Sequence, residues 1–102
     1  MDTIVLPADC NTMAEVRQGV DAIDRELLHL LARRFGYMRA AARVKQDRDA
    51  VRDEARKAEV IRNAWENARR LGLPESAIAG LWEQLVEASI AYELEEWDRL
   101  RR

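Results

Sequence analysis

The feature that most constrains the fold is one unbroken helical pattern from Thr12 to about Lys45. Apolar residues recur along it at intervals of three and four, which is typical of a helix with one buried face. They are Val16, Val20, Ile23, Leu27, Leu30, Leu31, Met38, Ala41 and Ala42. Thr12 with Glu15 three residues later is a capping-box pattern that predicts the start, and no proline follows before Pro74.

The length of this helix indicates that one chain does not cover it. About 33 residues make a helix roughly 50 Å long, whereas a 100-residue domain is about 34 Å across. We therefore expect the helix to extend beyond its own globule and a second copy of the chain to cover its apolar face.

Two cations interrupt the apolar face of this helix. Arg34 lies seven residues after Leu27 and four before Met38, where an apolar residue is expected. Lys45 follows eleven residues later, which is three turns, so it points within about 20° of the same direction. Cations on an inner helix face are costly unless an anion meets them. The sequence therefore predicts either a buried carboxylate or an anionic ligand beside them.

The rest of the sequence predicts two further helices and an all-α fold. The apolar pattern stops over residues 46–53, and a second helix is predicted from about 53 to 71, ended by Gly72 and Pro74. A third is predicted from about 74 to 100. Residues 1–11 are expected to form a loose arm, and residues 98–102 a frayed polar tail.

The third helix carries a carboxylate on its apolar face. Glu93 lies four residues after Ser89 and four before Trp97. An inner-face acid is a candidate partner for the two cations on the first helix.

Several function classes are disfavoured. The net charge of −2 argues against nucleic acid or an anionic membrane as the main partner. Cys10 and His29 are each alone, so we expect no disulfide framework and no metal site. We find no signal peptide, no apolar run near 18 residues, no phosphate loop and no nucleophile motif, which favours a cytoplasmic protein without a cofactor. What remains is a set of cations and one acid on inner helix faces. Such a set is suited to holding a small polyanion and stabilising charge as it develops.

The sequence resembles the all-helical chorismate mutase family, which includes the isochorismate pyruvate lyases. The resemblance extends over roughly residues 13–97, so residues 12–102 are assigned as one chorismate mutase-like domain. The matching segments are residues 14–17, 20–24, 30–34, 40–45, 51–53 with Arg56, and 89–93.

The resemblance implies an intertwined helical homodimer and a small dicarboxylate substrate. Arg34, Lys45 and Arg56 would come from one chain and Arg17 from the other. This agrees with geometry, because Arg17 points about 100° away from Arg34 on the same helix. The alternative for Arg17 is a surface pair with Asp21, four residues later. The arginines would hold two carboxylates, Lys45 would bond the ether oxygen as chorismate rearranges to prephenate, and Ser89 would lie in the substrate site.

The sequence departs from the family pattern at two site positions. Glu93 stands where many members have glutamine. An ionised Glu93 would repel the oxyanion that develops on the ether oxygen, so it can assist the reaction only when protonated. We therefore expect activity to decline as pH rises, and Glu93→Gln to remove that decline. Lys57 stands where typical mutases have a glutamate that contacts the ring hydroxyl. Asp53 or a backbone group is the candidate replacement.

Two alternatives remain beside the mutase. The first is an isochorismate pyruvate lyase, which converts isochorismate to salicylate and pyruvate. The lyases are more similar to this chain at Asp9, Cys10 and residues 37–41, whereas the mutases are similar to it at residues 49–53. We favour the mutase. A non-catalytic helical dimerisation module would explain the long helix, and a buried pair of Arg34 with Glu93 would explain two of the inner-face charges.

Overall fold

The computed structural model describes residues 4–102, and within them the chain is helical with no strand. The helices are α1 (Met13–Val44), α2 (Glu54–Arg70) and α3 (Glu75–Leu100). The three-helix prediction is confirmed, with ends close to those expected. Short 3-10 turns lie at Pro7–Asp9 and Arg48–Ala50. The first falls in the segment expected to be loose, of which residues 1–3 lie outside the described range.

Local signals fix the helix ends. The Glu15 amide donates to Thr12 Oγ1 and the Thr12 amide to Glu15 Oε1, both at 3.1 Å, which is the reciprocal capping box. At the far end of α2, Gly72 has a φ of 72° and the Leu73 amide donates to the Ala68 carbonyl at 2.8 Å. This left-handed glycine stops α2 as the sequence predicts.

The chain divides into two compact units, the first ending at Phe35 and the second covering Gly36–Arg102. In the second unit α2 packs against α3. Its core centres on Val51, Val86 and Ile90, and Trp97 packs against them. Val51 is buried although it lies in the polar connection, so this residue anchors the link between α1 and α2 to the core.

In the first unit the apolar stripe of α1 is open to solvent. Val20, Ile23 and Leu27 remain 52%, 53% and 50% exposed. Residues 4–7 of the preceding segment line a cavity together with Val20 and Ile23, so the chain covers this stripe only in part. The expectation that a second chain covers them remains a prediction. Over the described residues, none of the helices is long and apolar enough to cross a membrane.

Candidate functional site

An ion pair joins two of the residues singled out in the sequence. Lys45 follows the last residue of α1, and its Nζ lies 2.8 Å from Glu93 Oε2 on α3. The Glu93 side chain is 6% exposed and the Lys45 side chain 30% exposed. A carboxylate this deeply buried needs a charged partner, and the Lys45 ammonium provides it.

Ser89 lies one turn before Glu93 on the same buried face of α3. Its hydroxyl donates to the Leu85 carbonyl at 2.7 Å. This bond back to the preceding turn is common for a helical serine, and it orients the hydroxyl along its own helix. The spacing of four residues places Ser89 and Glu93 side by side on α3.

The end of α3 closes over the end of α1. The Trp97 indole donates to the Lys45 carbonyl at 3.1 Å, and Arg101 donates to the same carbonyl at 2.8 Å. The expectation that residues 98–102 fray is therefore wrong for Arg101, because α1 carbonyls bind its guanidinium. No local pattern marks this arginine, since the contact depends on how α1 and α3 pack.

Asp53 and Arg56 are engaged on α2 itself. The Asp53 carboxylate accepts the Arg56 amide at 3.0 Å as the N-cap of α2. The Arg56 side chain is exposed and pairs with Glu59 on the same helix. The structure thus gives Asp53 a structural role, and Arg56 would need to leave Glu59 to reach a ligand.

Arg17 and Arg34 belong to the first unit of the chain. Arg17 is exposed on α1, and Arg34 is half-buried and makes contacts within the folded chain. Their convergence with Lys45 and Glu93 stays a prediction.

Lys57, the departure from the family glutamate, faces α3. Its Nζ lies 2.7 Å from both Glu83 Oε1 and Glu87 Oε2. Hydrogen bonds to these carboxylates, first to Glu83, raise the pKa of Lys57. Arg52 also binds Glu87 through two bonds of 2.9 and 3.1 Å. Hydrogen bonds from Arg52 and then Lys57 lower the pKa of Glu87 to about 2.

No cluster of three or more histidine, cysteine or acidic side chains in the described part of the chain could hold a metal ion. The candidate site consists of the Lys45–Glu93 pair with Ser89 beside it. Its chemistry is that of a preplaced cation whose charge is partly shielded from water, which acts strongly on nearby anionic oxygens.

The sequence also matches known proteins. Residues 16–94 match the family model described as chorismate mutase type II. A relative named isochorismate pyruvate lyase, from Pseudomonas aeruginosa, is 30% identical over 95 residues, which cover 93% of this chain and 94% of the relative. The match extends through Lys45 and Glu93, and by it this chain belongs to the chorismate mutase type II family.

Proposed function

We propose that this chain is a chorismate mutase that converts chorismate to prephenate by a pericyclic rearrangement, without a covalent intermediate or a cofactor. The observation that carries the proposal is the Lys45 ammonium, held 2.8 Å from a buried carboxylate and still 30% exposed on its side chain. A cation fixed in this way is suited to an oxygen that gains charge during a reaction.

The proposed mechanism rests on charge at the ether oxygen. An ammonium has three N–H donors, and Glu93 takes one of them. The other donors are available to the ether oxygen, which becomes more negative as its bond to the ring breaks. The bond from Lys45 is therefore stronger in the transition state than in the substrate, and this difference raises kcat. Arg34, Arg56 and Arg17 of a partner chain would hold the two carboxylates and fix the reacting conformation.

Glu93 has two effects in this scheme. As a carboxylate it holds the ammonium in place but repels the developing oxyanion and offsets part of the cation's field. We therefore expect Glu93→Gln, which keeps an acceptor for Lys45, adds a donor and removes the repulsion, to retain turnover.

The proposal includes a homodimer. The support is the apolar stripe of α1, on which Val20, Ile23 and Leu27 are each about half exposed. Exposed contiguous apolar surface of this kind is typical of an interface, and only a second chain would bring a further Arg17 toward the site. Sedimentation of the purified protein should give a mass of two chains, and Ile23→Asp should shift it toward one.

The experiment that tests the function is turnover of the purified protein with chorismate and, in parallel, with isochorismate. Prephenate from chorismate, with little reaction of isochorismate, supports the proposal. Lys45→Met should remove this activity. The matched control is Arg62→Met, which removes an exposed cation from α2 and should leave turnover unchanged. Equal loss in both variants would contradict a specific role for Lys45.

The second candidate is an isochorismate pyruvate lyase, which the Pseudomonas aeruginosa relative favours. Both reactions break the same ether bond, so the same cations would serve both. Atom balance separates them, because formation of salicylate and pyruvate requires one hydrogen to leave the ring and reach the enolpyruvyl methylene carbon. Isochorismate deuterated on the ring should then give deuterated pyruvate.

A non-catalytic dimerisation module is distinguished by binding. A dicarboxylate that mimics the transition state should raise the melting temperature of an enzyme, since it binds only the folded state. No shift and no turnover of either substrate would leave the module as the better description.

A further inference from the structure

The carbonyl groups of Ala42, in the last turn of α1, and of Lys45, directly after it, accept hydrogen bonds from the end of α3. Arg101 donates from Nη1 to the Ala42 carbonyl at 3.1 Å and from Nη2 to the Lys45 carbonyl at 2.8 Å. The Trp97 indole donates to the same Lys45 carbonyl at 3.1 Å. Two side chains from one helix thus close the terminus of another.

The physical basis is the unsatisfied end of a helix. The final carbonyls of an α-helix lack partners within it, and its negative end favours a cation. A guanidinium is a rigid planar fork, so it can span two carbonyls and restrict where both lie. The Arg101 guanidinium also lies over the Trp97 ring, 4.1 Å from its centroid, which orients the fork.

The same face of α3 holds both ends of Lys45. Glu93, Trp97 and Arg101 follow one another at intervals of four residues, so they lie on adjacent turns of one face. Glu93 binds the Lys45 ammonium, while Trp97 and Arg101 bind its carbonyl. The ammonium sits on a flexible four-carbon chain, and a fixed backbone limits where that chain can place it.

We propose that Arg101, with Trp97, is a positioning residue that fixes Lys45 for the reaction, an inference that rests on the proposed function. A helix terminus without these bonds frays. The Lys45 backbone would then move, and small displacements of a catalytic group are costly to rate. Arg101 itself is exposed, so its removal leaves the apolar core intact.

The test compares Arg101→Ala with Arg99→Ala. The control removes a guanidinium from the same end of α3, where Arg99 binds Glu96 on its own helix. We expect Arg101→Ala to lower kcat about tenfold or more with little change in KM, and Arg101→Lys, which keeps a donor, to recover part of the loss. Equal kcat values in the two alanine variants would overturn the inference.

A double variant separates positioning from a general loss of structure. If Arg101 acts through Lys45, adding Arg101→Ala to Lys45→Met should lower kcat no further, because coupled residues are not additive. Full additivity of the two losses would contradict the proposal.

A measurement without turnover keeps the inference distinct from the proposed function. The Trp97 indole proton, identified by its loss from the ¹⁵N spectrum in Trp97→Phe, should exchange with solvent faster in Arg101→Ala than in the parent or Arg99→Ala. Unchanged exchange would overturn the inference. If the parent protein converts neither substrate, the proposed function fails. Faster exchange in Arg101→Ala would then show only a structural role for Arg101, which also overturns the inference.

Discussion

Replacing Lys45 by methionine should separate the structural part of the Lys45–Glu93 pair from its catalytic part. Methionine keeps the length of the side chain and removes the ammonium. Glu93, 6% exposed on its side chain, is then a buried carboxylate without its cation. The variant should lose both stability and turnover, for different reasons.

The loss of stability follows from burial. Removing one partner of a buried ion pair costs about 3–5 kcal/mol. The low end, about 3 kcal/mol, applies here because the Lys45 end of the pair is 30% exposed and water partly compensates Glu93. For a domain near this size each 1 kcal/mol shifts Tm by about 4–8 °C. Lys45→Met should therefore melt at least about 12 °C below the parent.

The loss of turnover follows from the transition state. Removing one preplaced donor to a developing oxyanion lowers kcat by a factor of roughly 100 to 1,000. Adding Glu93→Gln removes the unpaired charge, so the double variant should recover most of the stability, leaving about 1 kcal/mol for the lost hydrogen bond. It should recover none of the kcat, because the cation is still absent.

The assays are thermal and urea unfolding followed by circular dichroism at one fixed chain concentration, since the stability of a dimer would depend on concentration. Turnover is measured on the same samples. Recovery of kcat in the double variant would refute the role given to the cation. A Lys45→Met variant as stable as the parent would refute the claim that Glu93 depends on the ammonium.

Three further predictions concern residues outside this pair. The pKa of Glu87 is lowered to about 2 from an ordinary value of 4.5 by Arg52 and Lys57, so the stability it provides is complete above 4.5 and is lost as pH falls toward 2; Glu87→Gln should flatten unfolding free energy measured across that range. Thr12→Ala removes the side chain that accepts the Glu15 amide and should cost about 1 kcal/mol in urea unfolding. Lys57→Glu places a third carboxylate beside Glu83 and Glu87, which bind the Lys57 ammonium in the parent. The Tm of this variant should therefore fall, and the Tm of Lys57→Met should fall less.

The parts of the fold that were predictable are those with local signals. The Thr12 capping box and the Gly72 stop depend on residues within one turn of each other, so the helix ends follow from sequence. The meeting of Lys45 with Glu93 was also open to prediction in outline. Each is an inner-face charge on its own helix, and opposite charges on buried faces need one another.

The parts that were not predictable depend on distant contacts. Arg101 lies 56 residues from Lys45, and nothing near it in sequence distinguishes it from Arg99 or Arg102. What covers the half-exposed Leu27 side chain is also not predictable, because periodicity indicates an apolar face without saying which chain covers it.

In the proposed site the substrate's ring, rather than its ether, would decide between the two candidate reactions. Both substrates would present the same ether to Lys45, so this cation would not distinguish them. In the mutases that the sequence resembles, a glutamate at the position of Lys57 contacts the ring hydroxyl. Here that position carries a cation bound to Glu83 and Glu87.

Asp53, the other candidate for the ring contact, is engaged as the cap of α2 through the Arg56 amide. In the proposed site another group would then recognise the ring hydroxyl, and Ser89, which is buried one turn before Glu93 on α3, is a candidate. Ser89→Ala should therefore change the ratio of chorismate to isochorismate turnover. Lys45→Met should lower both in proportion, and a Ser89→Ala variant with an unchanged ratio would place ring recognition elsewhere.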